Sequence, residues 1–206
     1  MFGGIVETIG IIQSITIENG LRHFTIAPQA LFSDVIIGDS IAVNGVCLTV
    51  TQIENNIFSI TAVPETLRLT NLGFLQVNDA VNLERSLKMQ DRISGHCVQG
   101  HVDGIAKIIE IKKDNSDALL VKFSHSPELA KYIIKKGYIA IDGMSLTVVE
   151  STPTWFSVTL IPHTQQVTII QKHYRENTLV NLEVDMMGKY IEKIIGAHSC
   201  KTNSNA

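Results

Sequence analysis

Short runs of β-branched, aromatic and other apolar residues recur along the chain. They cover residues 5–15, 41–53 and 56–63 in the first half and residues 101–111, 138–150 and 155–161 in the second. Val, Ile, Thr and Phe favour extended, half-buried strands. Turn residues separate the runs at 18–20, 37–39, 54–56 and 115–117. The pattern predicts a small antiparallel barrel or sandwich, and a closed barrel is favoured because so small a module would otherwise expose its edges.

A few segments depart from the strand pattern. Segments 28–32 and 127–132 both begin with proline, which suits the first turn of a helix, and residues 66–70 predict another short turn. In the tail, apolar residues recur at helical spacing: Met187, Tyr190, Ile191, Ile194 and Ile195. Such a stripe needs a packing surface, and the spacing does not decide between the protein's own barrel and another subunit.

One module is written twice in tandem. Residues 41–51 (IAVNGVCLTVT) and 139–149 (IAIDGMSLTVV) are identical at six of eleven positions, at an offset of 98. The same offset pairs 63–66 with 161–164. Two further anchors follow with small drift: 81–84 match 180–183, and 4–7 match 100–103. Four anchors in one order indicate a duplicated unit of roughly 100 residues, a common domain size.

Composition narrows the class of protein. The net charge of -3 gives no footprint for nucleic acid or an anionic membrane, and no apolar run approaches a membrane span. The N-terminus lacks the basic region of a signal peptide. The odd number of cysteines (Cys47, Cys97 and Cys200) favours free thiols in a reducing compartment. We therefore expect a cytoplasmic protein without a metal site that binds neither nucleic acid nor membrane.

The two copies share a scaffold and differ at reactive side chains. The differing pairs are Cys47 and Ser145, Glu65 and His163, His101 and Ile5, Lys136 and Gly38, and Ser40 and Tyr138. Residues two apart on a strand point the same way, so Cys47 shares a face with Thr49, and Ser145 with Thr147. Thiol and hydroxyl groups on one face suit a polar heterocycle that carries a polyol chain.

Each of these residues also has a purely structural interpretation. A strand threonine or a lone buried cysteine is usually a packing residue. Lys136 lies in a lysine-rich turn, and His96 and His101 lie in a glycine-rich stretch that could be a linker. Spacing alone therefore supports a tandem barrel that binds two similar ligands, and it gives no reaction.

Six motifs resemble the riboflavin synthase family: MFGGIVE, GDSIAVNGVCLTV, PETLRLTNLG, VNLERSLKMQDRISGHCVQGHVDG, KGYIAIDGMSLTV and IPHT. They fall in the family's order, and the resemblance covers residues 1–195. Gly3 departs from it, since the family usually has Thr there. The resemblance implies two tandem six-stranded antiparallel Greek-key barrels with short helices. The expected domains are residues 1–97 and 98–185, and residues 186–206 would form a C-terminal helix with a frayed tail from Ser199.

The resemblance also implies a reaction. Two molecules of 6,7-dimethyl-8-ribityllumazine would exchange a four-carbon unit in a transferase reaction that needs no cofactor. The products would be riboflavin and 5-amino-6-ribitylamino-2,4-pyrimidinedione, in the last step of riboflavin biosynthesis. A homotrimer is implied, with the site between the N-terminal barrel of one subunit and the C-terminal barrel of another, and with the tail helix joining subunits. Association with lumazine synthase is left open.

Two alternatives compete with this interpretation. A non-catalytic antenna protein would bind the lumazine or a flavin without converting it, but such proteins lose much of the reactive set that this chain keeps. A flavin-reductase-like barrel would need a nicotinamide-binding domain, and the chain has no βαβ unit with GxGxxG.

The resemblance implies specific site residues. One pocket would use Gly4, Ile5, Val6, Cys47, Leu48, Thr49, Thr61, Ala62, Val63, Pro64, Glu65 and Thr66. The other would use Gly100, His101, Val102, Ser145, Leu146, Thr147, Thr159, Leu160, Ile161, Pro162, His163 and Thr164, with Lys136 from a neighbouring subunit. Functionally sensitive positions would be Phe2, Ser40, Cys47, His96, His101, Lys136, Asp142 and Asp185. His96 is our hypothesis for a general base, and Cys47, Ser40 or water for the nucleophile.

Overall fold

The computed structural model describes residues 1–114 and 117–202, and twelve strands form the framework of this described part. The first half contains β1 (Thr8–Glu18), β2 (Leu21–Pro28), β3 (Ser40–Val43), β4 (Val46–Glu54), β5 (Ile57–Ala62) and β6 (Ala80–Arg85). The second contains β7 (Gly104–Lys113), β8 (Leu119–Ser124), β9 (Tyr138–Ile141), β10 (Met144–Ser151), β11 (Trp155–Leu160) and β12 (Leu179–Val184). Apart from Asp117, the turn expected at 115–117 lies outside the described residues.

The strands close into two antiparallel barrels of the same topology. Their orders are β1-β2-β5-β4-β3-β6 and β10-β11-β8-β7-β12-β9, and each order closes into a ring. Followed from β7 in the opposite direction, the second ring is β7-β8-β11-β10-β9-β12, which is the first order with six added to each label. Phenylalanines fill both cores: Phe24 and Phe58 in the first, Phe123 and Phe156 in the second. The predicted fold class, two tandem six-stranded antiparallel barrels with short helices and a C-terminal helix, is confirmed.

The repeated runs 41–53 and 138–150 are hairpins. In each, two residues with positive φ make the turn: Asn44 and Gly45 in the first (φ 45° and 76°), Asp142 and Gly143 in the second (φ 44° and 82°). Positive φ at both central positions is the requirement of the tight turns whose twist matches that of the strands, and Asn-Gly and Asp-Gly satisfy it. The turns place Cys47 opposite Ala42, and Ser145 opposite Ala140 at a matching position.

The short helices follow the strands in equivalent places. Helix α1 (Pro64–Leu69) follows β5, α2 (Pro162–Val167) follows β11, and α3 (Ile170–His173) comes next. Short 3-10 helices cover Asn71–Phe74 and Pro127–Tyr132. Pro64, the first residue of α1, belongs to the repeated motif at residues 63–66, and its counterpart Pro162 is the first residue of α2.

The prediction of a helix at residues 28–32 is wrong. Pro28 is the last residue of β2 and pairs with Gly10 on β1. The N–H of Gln29 then donates to the carbonyl of Ile9 at 2.9 Å, so the ladder extends past the proline. Proline at the end of a strand loses no ladder bond that the strand needs, and here tertiary pairing decides the conformation.

A C-terminal helix, α4 (Met186–Thr202), follows the second barrel. Gly188 lies against the ring of Tyr132, and Glu192 interacts with Lys131 and Tyr132. The apolar stripe does not pack on the protein's own barrel: Met187, Tyr190, Ile191, Ile194 and Ile195 are 52% to 61% exposed. The helix continues past Ser199, where the frayed tail was expected to begin, and residues 203–206 lie outside the described part. No described helix is long and apolar enough to span a membrane.

The two barrels meet through reciprocal contacts about a local twofold axis. The Asn82 side chain donates to the carbonyl of Asp142 at 2.9 Å, and its counterpart Asn181 donates to the carbonyl of Asn44 at 2.8 Å. Gly45 lies against Gly143, where a Cβ on Gly45 would be 2.6 Å from the Gly143 nitrogen. The duplication in sequence is thus also a near-symmetry in space.

Candidate functional site

Two segments ahead of the barrels cross between them. We call residues 2–6 the N-terminal strap and residues 98–102 the junction strap. The N–H of Ser145, in the second barrel, donates to the carbonyl of Gly4 at 2.8 Å. In the same way, the N–H of Cys47, in the first barrel, donates to the carbonyl of Gly100 at 2.9 Å. Each strap therefore precedes one barrel in sequence and borders the other in space.

Glycine is required where each strap meets its strand. Gly4 and Gly100 have φ of 72° and 80°, a region that L side chains rarely adopt. A Cβ at either position would also lie 2.6 Å from the Cβ of Ser145 or Cys47. The repeated glycines thus allow the backbone of the strap to approach the reactive position of the opposite barrel.

The sequence-based grouping of the pockets is wrong on this point. We expected residues 4–6 beside Cys47 and residues 100–102 beside Ser145, but the structure exchanges the two straps. Pairing repeats by sequence identifies equivalent positions, but it does not show which barrel a connecting segment borders.

A pocket of about 150 Å³ lies at Ser145. The N-terminal strap, the start of β10 and the region of α2 line it with Gly4, Ile5, Val6, Met144, Ser145, Leu146, His163, Thr164, Val167 and Thr168. Thr147, on the same strand face as Ser145, is exposed, as are Thr159, Ile161 and Pro162. Leu160 instead is fully buried in the barrel core. In one chain the pocket is thus lined by apolar side chains together with glycine backbone and a few polar groups.

The equivalent position in the first barrel is formed by β4, the end of β5 and the start of α1. Cys47 is a free, half-buried thiol, and Thr49 beside it is exposed. Thr61 and Thr66 are half-buried, Val63, Pro64 and Glu65 are exposed, and Leu48 and Ala62 are buried. Of the junction strap, His101 is exposed and Val102 packs against the core of this barrel.

His96 is held against the second-barrel pocket. Its Nδ1 lies 2.7 Å from the Ser145 Oγ, and its ring stacks on Tyr138 with centroids 5.1 Å apart. The residue is only 6% exposed. Burial lowers the pKa of the imidazole, and the charge of Asp185 partly opposes this. A neutral imidazole in contact with a hydroxyl is an arrangement that can take up a proton or activate a nucleophile.

The other sensitive positions lie at varied distances from this pair. Ser40 pairs with Thr49 across β3 and β4, so it borders the first-barrel position. Lys136 is exposed in a tight turn with φ of 68° and does not line the Ser145 pocket. Asp185 precedes α4 and accepts the N–H of Met187 at 3.0 Å.

Two expected site residues are fully buried away from the pocket. Phe2 lies between the barrels, packed with Val98, Ala42 and Ala140. Asp142 lies at the barrel contact and accepts the Tyr174 hydroxyl at 2.9 Å. Burial raises the pKa of Asp142 to about 7, although hydrogen bonds, including that from Tyr174, oppose the shift. The structure thus brings His96 into contact with Ser145, whereas Phe2 and Asp142 lie away from the pocket.

Sequence reasoning missed a pair of buried glutamates that hold the straps. Gly3 donates its N–H to Glu84 at 2.7 Å, and Gln99 donates its N–H to Glu183 at 2.7 Å. Each glutamate is the last residue of a repeated Val-Asn-Leu-Glu run. A charged residue that occurs in both copies of an otherwise buried strand was the sequence signal that could have identified them. Among the described residues, no group of three or more His, Cys, Asp or Glu could hold a metal ion.

Comparison with known proteins agrees with this architecture. The profile of the lumazine binding domain matches residues 3–86 and 99–185. Riboflavin synthase of Schizosaccharomyces pombe is 46% identical over 200 residues, covering 96% of this chain and 95% of that protein. Riboflavin synthase of Escherichia coli K12 is 43% identical over 187 residues, covering 90% and 87%.

A solved structure shares the fold at lower identity. LumP complexed with 6,7-dimethyl-8-(1'-D-ribityl) lumazine matches with a TM-score of 0.80 and 24% identity, covering 90% of this chain and 99% of that chain. The family resemblance of the sequence motifs is therefore confirmed: the chain has two lumazine binding domains and is an enzyme of the riboflavin synthase family.

Proposed function

We propose that the chain converts two molecules of 6,7-dimethyl-8-ribityllumazine into riboflavin and 5-amino-6-ribitylamino-2,4-pyrimidinedione, the last step of riboflavin biosynthesis. The observation that carries the proposal is the pair of equivalent strap-bordered positions, one of which holds the contact between His96 and Ser145. A reaction that consumes two identical substrates needs two similar binding positions. The residues that differ between them can then give the two substrates different fates.

Each lumazine would lie between a strap and a hairpin strand. In the first barrel it would contact residues 47–49, 61–66 and 100–102. In the second it would contact residues 4–6, 145–147 and 159–164. Backbone groups would hold the ring, and threonine hydroxyls on the exposed strand faces would hold the ribityl chain. We propose that the chain divides into domains of residues 1–97, 98–185 and 186–206. Each pocket would use residues from both of the first two domains.

The chemistry requires a proton to leave the C7 methyl of one lumazine and a nucleophile to add at C7 of the other. The neutral imidazole of His96 would act as the base. Cys47, Ser40 or bound water would supply the nucleophile, and the contact with His96 adds Ser145 to these candidates. The carbanion then attacks the adduct. The joined intermediate fragments, so that one lumazine keeps the four-carbon unit as riboflavin, the other leaves as the pyrimidinedione, and the added nucleophile is released. Holding the two rings in register would itself supply several kcal/mol by proximity, and no cofactor is needed.

Assembly as a homotrimer would complete the site. The pocket at Ser145 has a volume of only about 150 Å³ in a single chain, and α4 carries an exposed apolar stripe. The N-terminal barrel of one subunit would face the C-terminal barrel of another, and Lys136 would reach across. We propose a cytoplasmic enzyme. Association with lumazine synthase stays a prediction, and co-sedimentation of the two proteins tests it.

Incubation with the lumazine tests the proposed function directly. We expect riboflavin absorbance and fluorescence to appear, together with one pyrimidinedione per riboflavin. The antenna alternative is favoured by one observation, the fold shared with LumP, whose structure was solved in complex with the lumazine. A lumazine that stays bound and never converts would support that alternative and reject the enzyme.

A further inference from the structure

The two straps are joined to each other on the local axis. The N–H of Phe2 donates to the carbonyl of Val98 at 2.8 Å, and the N–H of Val98 donates to the carbonyl of Phe2 at 3.1 Å. Beneath this bridge lie Ala42 and Ala140, whose small side chains leave room for it. The bridge lies beside both binding positions and belongs to neither barrel.

Each strap is held on one side by a carboxyl group and on the other by a pocket strand. The Gly3 N–H donates to Glu84, on β6 of the first barrel, at 2.7 Å. The next residue, Gly4, accepts from the N–H of Ser145, on β10 of the second barrel, at 2.8 Å. Two hydrogen bonds thus connect a first-barrel carboxyl to the second-barrel pocket.

The junction strap repeats this arrangement in the opposite direction. The Gln99 N–H donates to Glu183, on β12 of the second barrel, at 2.7 Å. Gly100 then accepts from the N–H of Cys47, in the first barrel, at 2.9 Å. Two independent copies of one connection indicate that the contact is a property of the module.

Both carboxyl groups are buried at a cost. Glu84 and Glu183 are 5% and 4% exposed. Burial raises the pKa of Glu84 to about 7, although N–H groups of Gly3, Ile5 and Gly4 oppose the shift. Burial also raises the pKa of Glu183, against hydrogen bonds from the junction strap. A buried carboxyl costs stability unless it has partners. Here a strap N–H donates to Oε1 of each carboxyl, while Oε2 of each is buried without a hydrogen-bond partner among the described residues.

We infer that Glu84 and Glu183 are positioning residues, each of which sets the ligand affinity of the pocket in the opposite barrel. Glu84 fixes the strap that walls the Ser145 pocket, and Glu183 fixes the strap that walls the Cys47 position. The inference rests on the proposed function, since it concerns the binding of lumazine-type ligands at those two positions. Neither glutamate lines the Ser145 pocket.

The test uses Glu84→Gln and Glu183→Gln in the full chain, with 13C-labelled riboflavin as the probe. The two positions differ in their side chains, so the bound label gives two NMR signals, which Thr49→Val and Thr147→Val assign. Glu84→Gln should raise the Kd at the Ser145 pocket about tenfold and leave the other Kd within about twofold. Glu183→Gln should do the reverse. The exposed Glu54→Gln is the control and should change neither Kd.

Equal weakening of both pockets, weakening confined to the glutamate's own barrel, or no change would overturn the inference. Loss of affinity from general loosening would not be selective for the opposite pocket. Should Glu84→Gln fail to fold, Glu84→Asp keeps the carboxyl group but withdraws it by one methylene, and the same selective loss is expected. The unchanged chain must first show two bound signals and turnover, and their absence would reject the proposed function itself.

Discussion

At the scale of single residues, the contact between His96 and Ser145 carries most of the chemical information. The imidazole is buried against Tyr138 and its pKa is lowered, so it is uncharged at neutral pH. An uncharged imidazole is the form that accepts a proton. Cys47 is the counterpart of Ser145 in the first barrel, and the junction strap beside it carries the exposed His101. The two copies therefore offer different chemistry on the same backbone.

Replacing His96 by Gln should lower the single-turnover rate by about 100-fold, because general base catalysis typically contributes that much or more. In the unchanged chain the rate should fall as the pH drops below 6.5, through the lowered pKa of His96. That acidic limb should vanish in the variant. Rapid-mixing measurements of riboflavin formation across pH check both points. A near-normal single-turnover rate would rule out the base role.

Asp142 makes a second prediction at this scale, about stability. Its pKa is raised to about 7 by burial, so the folded chain binds this proton more tightly than the unfolded chain does. Stability from this group is complete below its ordinary pKa of 3.8 and is lost as the pH rises to about 7. The neutral Asp142→Asn, which copies Asn44 of the first half, should remove this loss.

Urea unfolding at one protein concentration measures the effect. Relative to the unchanged chain, the Asp142→Asn variant should gain about 2–3 kcal/mol between pH 5 and pH 8. The reverse change at the equivalent position, Asn44→Asp, should steepen the dependence on pH. Parallel stability curves for the variant and the unchanged chain would contradict the raised pKa.

At the scale of elements, the barrels depend on the two tight turns that meet at the local axis. Gly45→Ala would place a Cβ 2.6 Å from the Gly143 nitrogen at a φ of 76°. Clash and backbone strain together should destabilise the chain by about 3 kcal/mol or more. Gly104→Ala is the matched control, because a Cβ there meets nothing within 4 Å. Thermal unfolding of both variants checks this, and similar melting temperatures would count against the close contact.

The elements also show how far sequence carries a prediction. The strand character of residues 41–53 and 138–150 and their equivalence were predictable from residue types and from the repeat. That each run is a hairpin was not predicted, because the turns at Asn44-Gly45 and Asp142-Gly143 were interpreted as no more than a bend or bulge. The conformation of segment 28–32 was not predictable, because its proline suits a helix start locally and only pairing with β1 keeps it extended. The prediction of which barrel each strap borders was wrong for a related reason. The position of each strap depends on long-range hydrogen bonds to Ser145 and Cys47.

The site residues also divide into those that local sequence identifies and those whose role depends on a distant partner. Cys47 and Ser145 were found because the repeats differ there in chemistry. Glu84 and Glu183 were overlooked because they are identical in the two copies and their role depends on a partner far away in sequence, Gly3 or Gln99. Asp142 was grouped with the reactive residues, and its burial between the barrels could not be foreseen from a turn motif.

At the scale of the whole molecule, the exposed stripe of α4 predicts assembly through this helix. A double change, Ile191→Glu and Ile194→Glu, should dissociate the assembly, because it places charges in a buried apolar contact. Sedimentation velocity should then show monomers with little turnover, while Lys193→Ala on the same helix should behave as the unchanged chain does. A monomeric unchanged chain, or an intact assembly in the double variant, would exclude this role for α4.

The reciprocal contacts between the straps have a consequence for the origin of the chain. Equivalent residues touch each other across the axis, as Phe2 touches Val98 and Gly45 touches Gly143, and this is the geometry of an isologous dimer. A single-module ancestor would have formed such a dimer by exchanging its leading segments between two identical chains. Duplication of the gene would have freed each copy to mutate alone, and fusion would have joined the two copies in one chain. Ile5 and His101, or Cys47 and Ser145, could diverge only after the duplication.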